Sequence, residues 1–166
     1  MVRSVVGERY IYIRNYMPHK PYGQHVSYMF QTTTTQVWKK LFEEGKLNEA
    51  QSHFWKTKPA EELYDLQKDP DEVTNLAQSK QHAPILKKMR KAHFSHIRKI
   101  RDVGFLPEGE IHSRSVGSTP YEIARDSKKY PFEKILAAAE LATSLKKKDL
   151  PSIAHLLEDS DSAVRY

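Results

Sequence analysis

A chain of 166 residues with 39% hydrophobic and 29% charged side chains suits one folded unit, or one unit plus an appendage, under a heavily charged surface. It contains no cysteine, which excludes disulfides, thiolate metal sites and cysteine nucleophiles within it, and no apolar run reaches the ~20 residues that span a bilayer. The net charge of +6 fits an anionic partner without selecting one, and a solvated basic surface is the simpler account of it.

Met1 to Arg9 lack the apolar centre and small-residue cleavage site of a signal peptide. Residues 2–6 and 9–16 read as a hairpin. Val2, Val5 and Val6 precede a Gly7-Glu8 turn, and Tyr10, Ile11, Tyr12, Ile13 and Tyr16 follow it, with Arg9, Arg14 and Asn15 on a partly wet face. Residues 17–31 are expected to form an ordered loop, with two prolines and a glycine excluding a helix. Thr35 or a neighbouring threonine caps a helix through Val37, Trp38, Leu41 and Phe42 toward Gly45, and a second short helix covers Asn48 to Trp55.

Leu63, Tyr64 and Leu66 suit a strand that joins the hairpin in one antiparallel sheet. Asp69-Pro70 then opens a helix, with Asp69 as its cap, Pro70 at its first position and Glu72 as the capping-box partner. Residues 82–103 make an amphipathic helix. Leu86, Met89, Ile97 and Ile100 line one face, while Lys87, Lys88, Lys91, Arg98 and Lys99 favour solvent. Gly104 to Gly117 is irregular and reads as a connector. Beyond it the pattern is helical at Pro120–Asp126, Pro131–Leu145 and Asp149–Asp159.

Two motifs carry a resemblance. The first, Glu61-Glu62-Leu63-Tyr64-Asp65-Leu66-Gln67-Lys68-Asp69-Pro70-Asp71-Glu72-Val73-Thr74-Asn75-Leu76-Ala77, resembles the signature of the C-terminal subdomain of type I sulfatases, the formylglycine-dependent sulfate-ester hydrolases. Arg9 to Tyr16 and Arg101 to Glu108 agree with it in order, and the three together look most like bacterial relatives of N-sulfoglucosamine sulfohydrolase over roughly residues 1–115. The second, the Leu-x-x-Leu-Leu-x-Asp-x-Asp-x-x-Val-Arg core at Ile153 to Arg165, resembles a HEAT-like repeat that stops where its second helix should begin. One such repeat does not bury its apolar face alone, so a longer parent protein is expected on both sides.

The expected fold is therefore α+β: a small antiparallel sheet packed by helices over 1–103, a connector over 104–118, and an all-α HEAT-like segment over 119–166. The resemblance implies that the nucleophile, made from Cys or Ser in a Cys/Ser-x-Pro-x-Arg motif, and the calcium ion belong to an N-terminal sulfatase domain outside this sequence. That missing domain is then the chain's first partner. A sulfated glycan would be bound through the parent, which in a bacterium would be periplasmic or extracellular. No nucleic acid is expected as a partner.

Three patterns imitate catalytic chemistry. Ser118-Thr119-Pro120-Tyr121-Glu122 has the Ser-x-Pro spacing, but Glu122 stands where arginine is needed, so Ser118 or Thr119 reads as a helix cap. Asp65, Gln67, Asp69 and Asp71 alternate like a calcium loop, but Pro70 and Leu76 occupy the glycine and glutamate positions. His93 and His96 have a metal-compatible spacing without a third ligand, and a half-buried histidine pair is expected. Catalytic and metal residues are thus expected to be absent.

The loop around His19, Lys20, Tyr22 and His25 offers substrate-rim candidates. The lysine and histidines match a sulfate or carboxylate, and the tyrosine can stack on a sugar. A structural plug against the missing domain is the competing reading of that loop. For the whole chain the alternative is a basic helical interaction module that binds an acidic protein or nucleic acid.

Overall fold

The computed structural model describes residues 1–144 and 146–166. The predicted hairpin forms: β1 (Val2–Val6) pairs antiparallel with β2 (Tyr10–Asn15), Val5 opposite Tyr12, and the Gly7 N–H donates to Tyr10 O at 2.8 Å. β3 (Glu61–Asp65) joins the other side of β2, also antiparallel, with Leu63 opposite Tyr12, giving the order β1-β2-β3. Alternation along the strands gathers Tyr12 and Leu63 on one face. Both are fully buried there against Leu86 and Met89 of α4 (Ala83–Ile100).

Between β2 and β3 the chain forms α1 (Ser27–Phe30), α2 (Thr33–Glu43), α3 (Glu49–Ser52) and a 3₁₀ turn at His53–Trp55. The single turn of α1 corrects the expectation of a helix-free loop over 17–31. Its prolines, Pro18 and Pro21, constrain only their own surroundings, and Ser27 lies beyond them. Thr32, one of the threonines neighbouring Thr35, occupies the N-terminal boundary of α2, but its side chain makes no cap bond. Gly45 closes its far end at φ 68°, a left-handed conformation suited to glycine. Asn48 and Gln51 form a reciprocal cap on α3.

The predicted helix at Asp69-Pro70 does not form. The Asp69 carboxylate instead accepts from Val73 N at 3.0 Å and Thr74 N at 2.7 Å, and Glu72 adopts φ 54°, which turns the backbone out of the helical region. Asn75 then fastens the segment to β3: its Oδ1 accepts from Leu63 N and Ala77 N, and its Nδ2 donates to Glu61 O. Leu76 N also donates to Leu63 O at 2.7 Å, so the outer side of β3 is partly covered.

In α4, Leu86, Met89 and Ile97 are buried as expected, but Ile100 is 46% exposed. The helix ends at Arg101, φ 51°, before Ile100 can turn inward. The connector region is not irregular: a 3₁₀ turn at Val103–Phe105 leads to α5 (Glu108–Arg114). Acidic Glu108 and Glu110 in its first turn, with His112 and Arg114 in its last, suit the helix dipole and offset Gly109.

Next come α6 (Pro120–Ile123), α7 (Phe132–Ala142), α8 (Leu150–Leu156) and α9 (Ser162–Arg165). Thr119 caps α6 reciprocally with Glu122, as the capping pattern required. The predicted end of the preceding long helix at Leu145 lies outside the described residues. Phe105, Ile123, Tyr130, Ile135, Leu136 and Val164 form a second apolar cluster that also takes in Tyr16 and Ile97. The protein is an α+β fold, with helices packed on a small antiparallel sheet.

Candidate functional site

The candidate loop is held by backbone pairing to the segment just before β3. Lys58 N donates to Pro18 O at 3.0 Å, Pro21 bridges antiparallel to Thr57, and Gly23 N donates to Phe54 O at 2.7 Å. Gly23 is required at that approach: a Cβ there would lie 2.7 Å from ring carbons of Phe54 and Trp55. This clasp sets Tyr22 and Lys58 side by side, with the Lys58 Nζ 5.5 Å from the Tyr22 ring centroid.

Under the loop lies a buried carboxylate. Glu62 is 2% exposed. Its Oε1 accepts from Asn15 Nδ2 at 2.5 Å and the Tyr22 hydroxyl at 2.7 Å, and its Oε2 accepts from the Tyr64 hydroxyl at 2.5 Å. Burial first, and then the Glu62 hydrogen bond, push the Tyr22 and Tyr64 hydroxyls above the usual phenol range. Both therefore stay protonated near neutral pH and donate. Burial pushes the Lys58 ammonium below the usual lysine range. Glu62 opposes that shift and Lys20 adds to it.

The neighbouring Glu61 faces the α4 side. It accepts from the Tyr12 hydroxyl at 2.7 Å and is clamped by Arg90 at 2.6 and 2.7 Å. Burial works against its charge, yet Arg90 and Tyr12 hold the carboxyl below the usual range. Arg14 extends the network to α7, reaching Glu140 at 2.6 Å and Thr143 at 2.5 Å. Arg9 holds Asp65 at 2.9 and 2.5 Å. These charge-assisted pairs fix the sheet to its neighbours.

The four rim candidates divide among three features. Tyr22 points to Glu62, and Lys20 lies near enough to Lys58 to lower its proton affinity. His19 lines a separate, mostly apolar cavity with Tyr16, Phe105, Ile135 and Val164. The His25 ring packs on Phe30 at 4.6 Å between centroids. Lys58 and Glu62 escaped the sequence reading.

The histidine pair is split. His93 is 1% exposed and bonded to the Tyr16 hydroxyl at 2.8 Å, whereas His96 is exposed. They do not form the half-buried pair that spacing suggested. Among the described residues no three or more His, Asp or Glu side chains are grouped to hold a metal. Ser118 and Thr119 both contact Glu122 at the α6 cap.

Over 130 residues the chain is 35% identical to the Ulvan-active sulfatase of Formosa agariphila. The chain is sulfatase-related. That alignment covers 77% of this chain and 22% of the relative, so the chain spans less than a quarter of the sulfatase it matches. No protein-family profile matches it. Among the described residues no helix is long and apolar enough to cross a membrane.

Proposed function

We propose that this sulfatase-related chain serves as the C-terminal portion of a formylglycine-dependent sulfatase, most like the N-sulfoglucosamine sulfohydrolase relatives, and that its parent hydrolyses sulfate esters or sulfamates on a glycan. The observation that carries this reading is the 35% identity over 130 residues. The ordered Glu61 to Ala77 signature supports it further. Each polar anchor of that signature serves the sheet: Glu61 holds Arg90, Glu62 gathers Asn15, Tyr22 and Tyr64, Asp65 holds Arg9, and Asn75 secures the strand edge.

In this reading the formylglycine nucleophile and calcium belong to an N-terminal domain, which is the chain's partner, and the parent works in the periplasm or outside the cell. In the acidic motif, Asp65 is engaged by Arg9, Glu62 by hydroxyls and an amide, and Asp69 by backbone amides, and among the described residues no three His, Asp or Glu side chains are grouped to hold a metal. The chain contributes scaffold and a stiff wall, from which Lys20, Tyr22, His19 and His25 meet the substrate's rim. Residues 119–166 supply a HEAT-like helical segment.

The test is binding of the purified chain to sulfated heparin fragments, set against a DNA duplex of matched charge at equal salt. Saturable binding to the glycan, weakened by Lys20→Ala combined with His25→Ala, is expected. Preferential, salt-steep binding to DNA would transfer the case to an interaction module for nucleic acid.

A further inference from the structure

Lys58 is 6% exposed, and no described carboxylate lies within ion-pair distance of its ammonium. The aliphatic stem is covered while the Nζ keeps contact with solvent, so the unpaired ammonium is presented at the surface rather than sealed inside. Glu62 is the nearest candidate to neutralise it. However, the Glu62 oxygens are occupied by Asn15, Tyr22 and Tyr64, all neutral donors. The Tyr22 ring, 5.5 Å away, supplies only a partial cation–π contact. Lys20, a second cation, is near as well and makes the locality more positive.

Local backbone geometry holds this charge in place. The Lys58 N–H is tied to Pro18 O, and the Pro21–Thr57 bridge and the Gly23–Phe54 bond keep the loop carrying Lys20 and Tyr22 alongside it. The site is therefore preorganised: two ammonium groups and an aromatic ring stand together before any ligand arrives.

We propose that Lys58, flanked by Lys20 and the Tyr22 ring, is an oxyanion seat that takes a sulfate group carried on a glycan. The proposal rests on the sulfatase reading for the source of that sulfate and on the packing around Lys58 for the seat itself. Lys58 supplies the charge and directional N–H donors. Lys20 adds a second donor from the loop. Tyr22, its ring packed 5.0 Å from that of His53 and its hydroxyl fixed on Glu62, walls the seat.

The experiment is a titration of the full chain with sodium sulfate at constant ionic strength, made up with chloride, while following the Lys58 side-chain NMR signals. A sulfated disaccharide is titrated in a second arm. Expected are saturable shifts at Lys58, Lys20 and Tyr22 in both arms, with tighter binding of the disaccharide. Lys58→Met should weaken both by roughly tenfold or more, with Lys58→Arg recovering part of the loss. If free sulfate binds as tightly as the disaccharide, the glycan source is overturned. Lys58 signals that respond to sulfate no more than to chloride overturn the seat. Should Lys58→Met fail to fold, the wild-type Lys58 signals and Lys58→Arg still decide the matter. Intact disaccharide binding in Lys58→Met, with loss in the Lys20/His25 variant, would overturn this seat while leaving the sulfatase reading standing.

Discussion

His93 is sealed beneath the sheet with its Nε2 2.8 Å from the Tyr16 hydroxyl and its ring 5.7 Å from that of Tyr12. Burial, with Arg14 and Arg3 nearby, lowers its pKa to about 4. An unfolded histidine titrates near 6.5, so the unfolded chain binds the extra proton first as pH falls. The stability His93 contributes is complete above about pH 6.5 and is lost as pH drops through about 4, a total on the order of 3 kcal/mol. Urea midpoints between pH 7 and pH 4 should fall accordingly, and His93→Gln should flatten that slope. An unchanged slope in the variant would contradict the assignment. Glu61 and Asp102, whose carboxyls are held below the usual range, add their losses only at lower pH. Sequence spacing could not separate His93 from His96. Three residues along a helix leave a rotation of about 60°, enough to carry one ring into the core and the other into water.

At the scale of elements, the segment from Glu61 to Ala77 is one unit made of a strand and a side-chain clip. Asn75 Oδ1 accepts from both Leu63 N and Ala77 N, at 3.0 and 2.9 Å. Asn75→Ala should therefore release the clip and cost about 1–3 kcal/mol in urea unfolding, while hydrogen exchange at Leu63 and Ala77 quickens selectively. Uniform acceleration across all three strands would instead mean that the clip has no separate role. The strands themselves were legible, because alternating aromatic and β-branched residues around a Gly7 turn leave few other choices. The turn after β3 was not. Asp69-Pro70-Asp71-Glu72 satisfies every local rule for a helix start, but Asp69 reaches Val73 and Thr74, and Asn75 draws the chain back to β3. The long-range bonds override the local preference. In α5 the opposite held, where charges at both ends of a short helix outweighed the glycine and proline count used to read it as a connector.

Across the whole molecule, two apolar clusters meet the sheet and α4: one centred on Tyr12, Leu63, Leu86 and Met89, the other running from Tyr16 and Ile97 to Val164. Arg14 ties the sheet to α7 through Glu140, and Arg114 ties α5 to Asp161 at the start of α9 at 2.8 Å. The polar residues on the sheet's other face, Asn15, Glu62 and Tyr64, support the loop bearing Tyr22. The α+β class was legible from periodicity. Lys58 was not, because burial of a lysine without a partner has no local sequence signature. Under the proposed function, desulfation is performed by residues elsewhere in a longer protein. Inorganic sulfate released from a sulfated glycan, with calcium present, tests it directly when this 166-residue chain is compared with the product of its gene read together with the upstream frame. Release by the longer protein alone is predicted; turnover by the short chain, or a longer protein that releases no sulfate, would contradict the account.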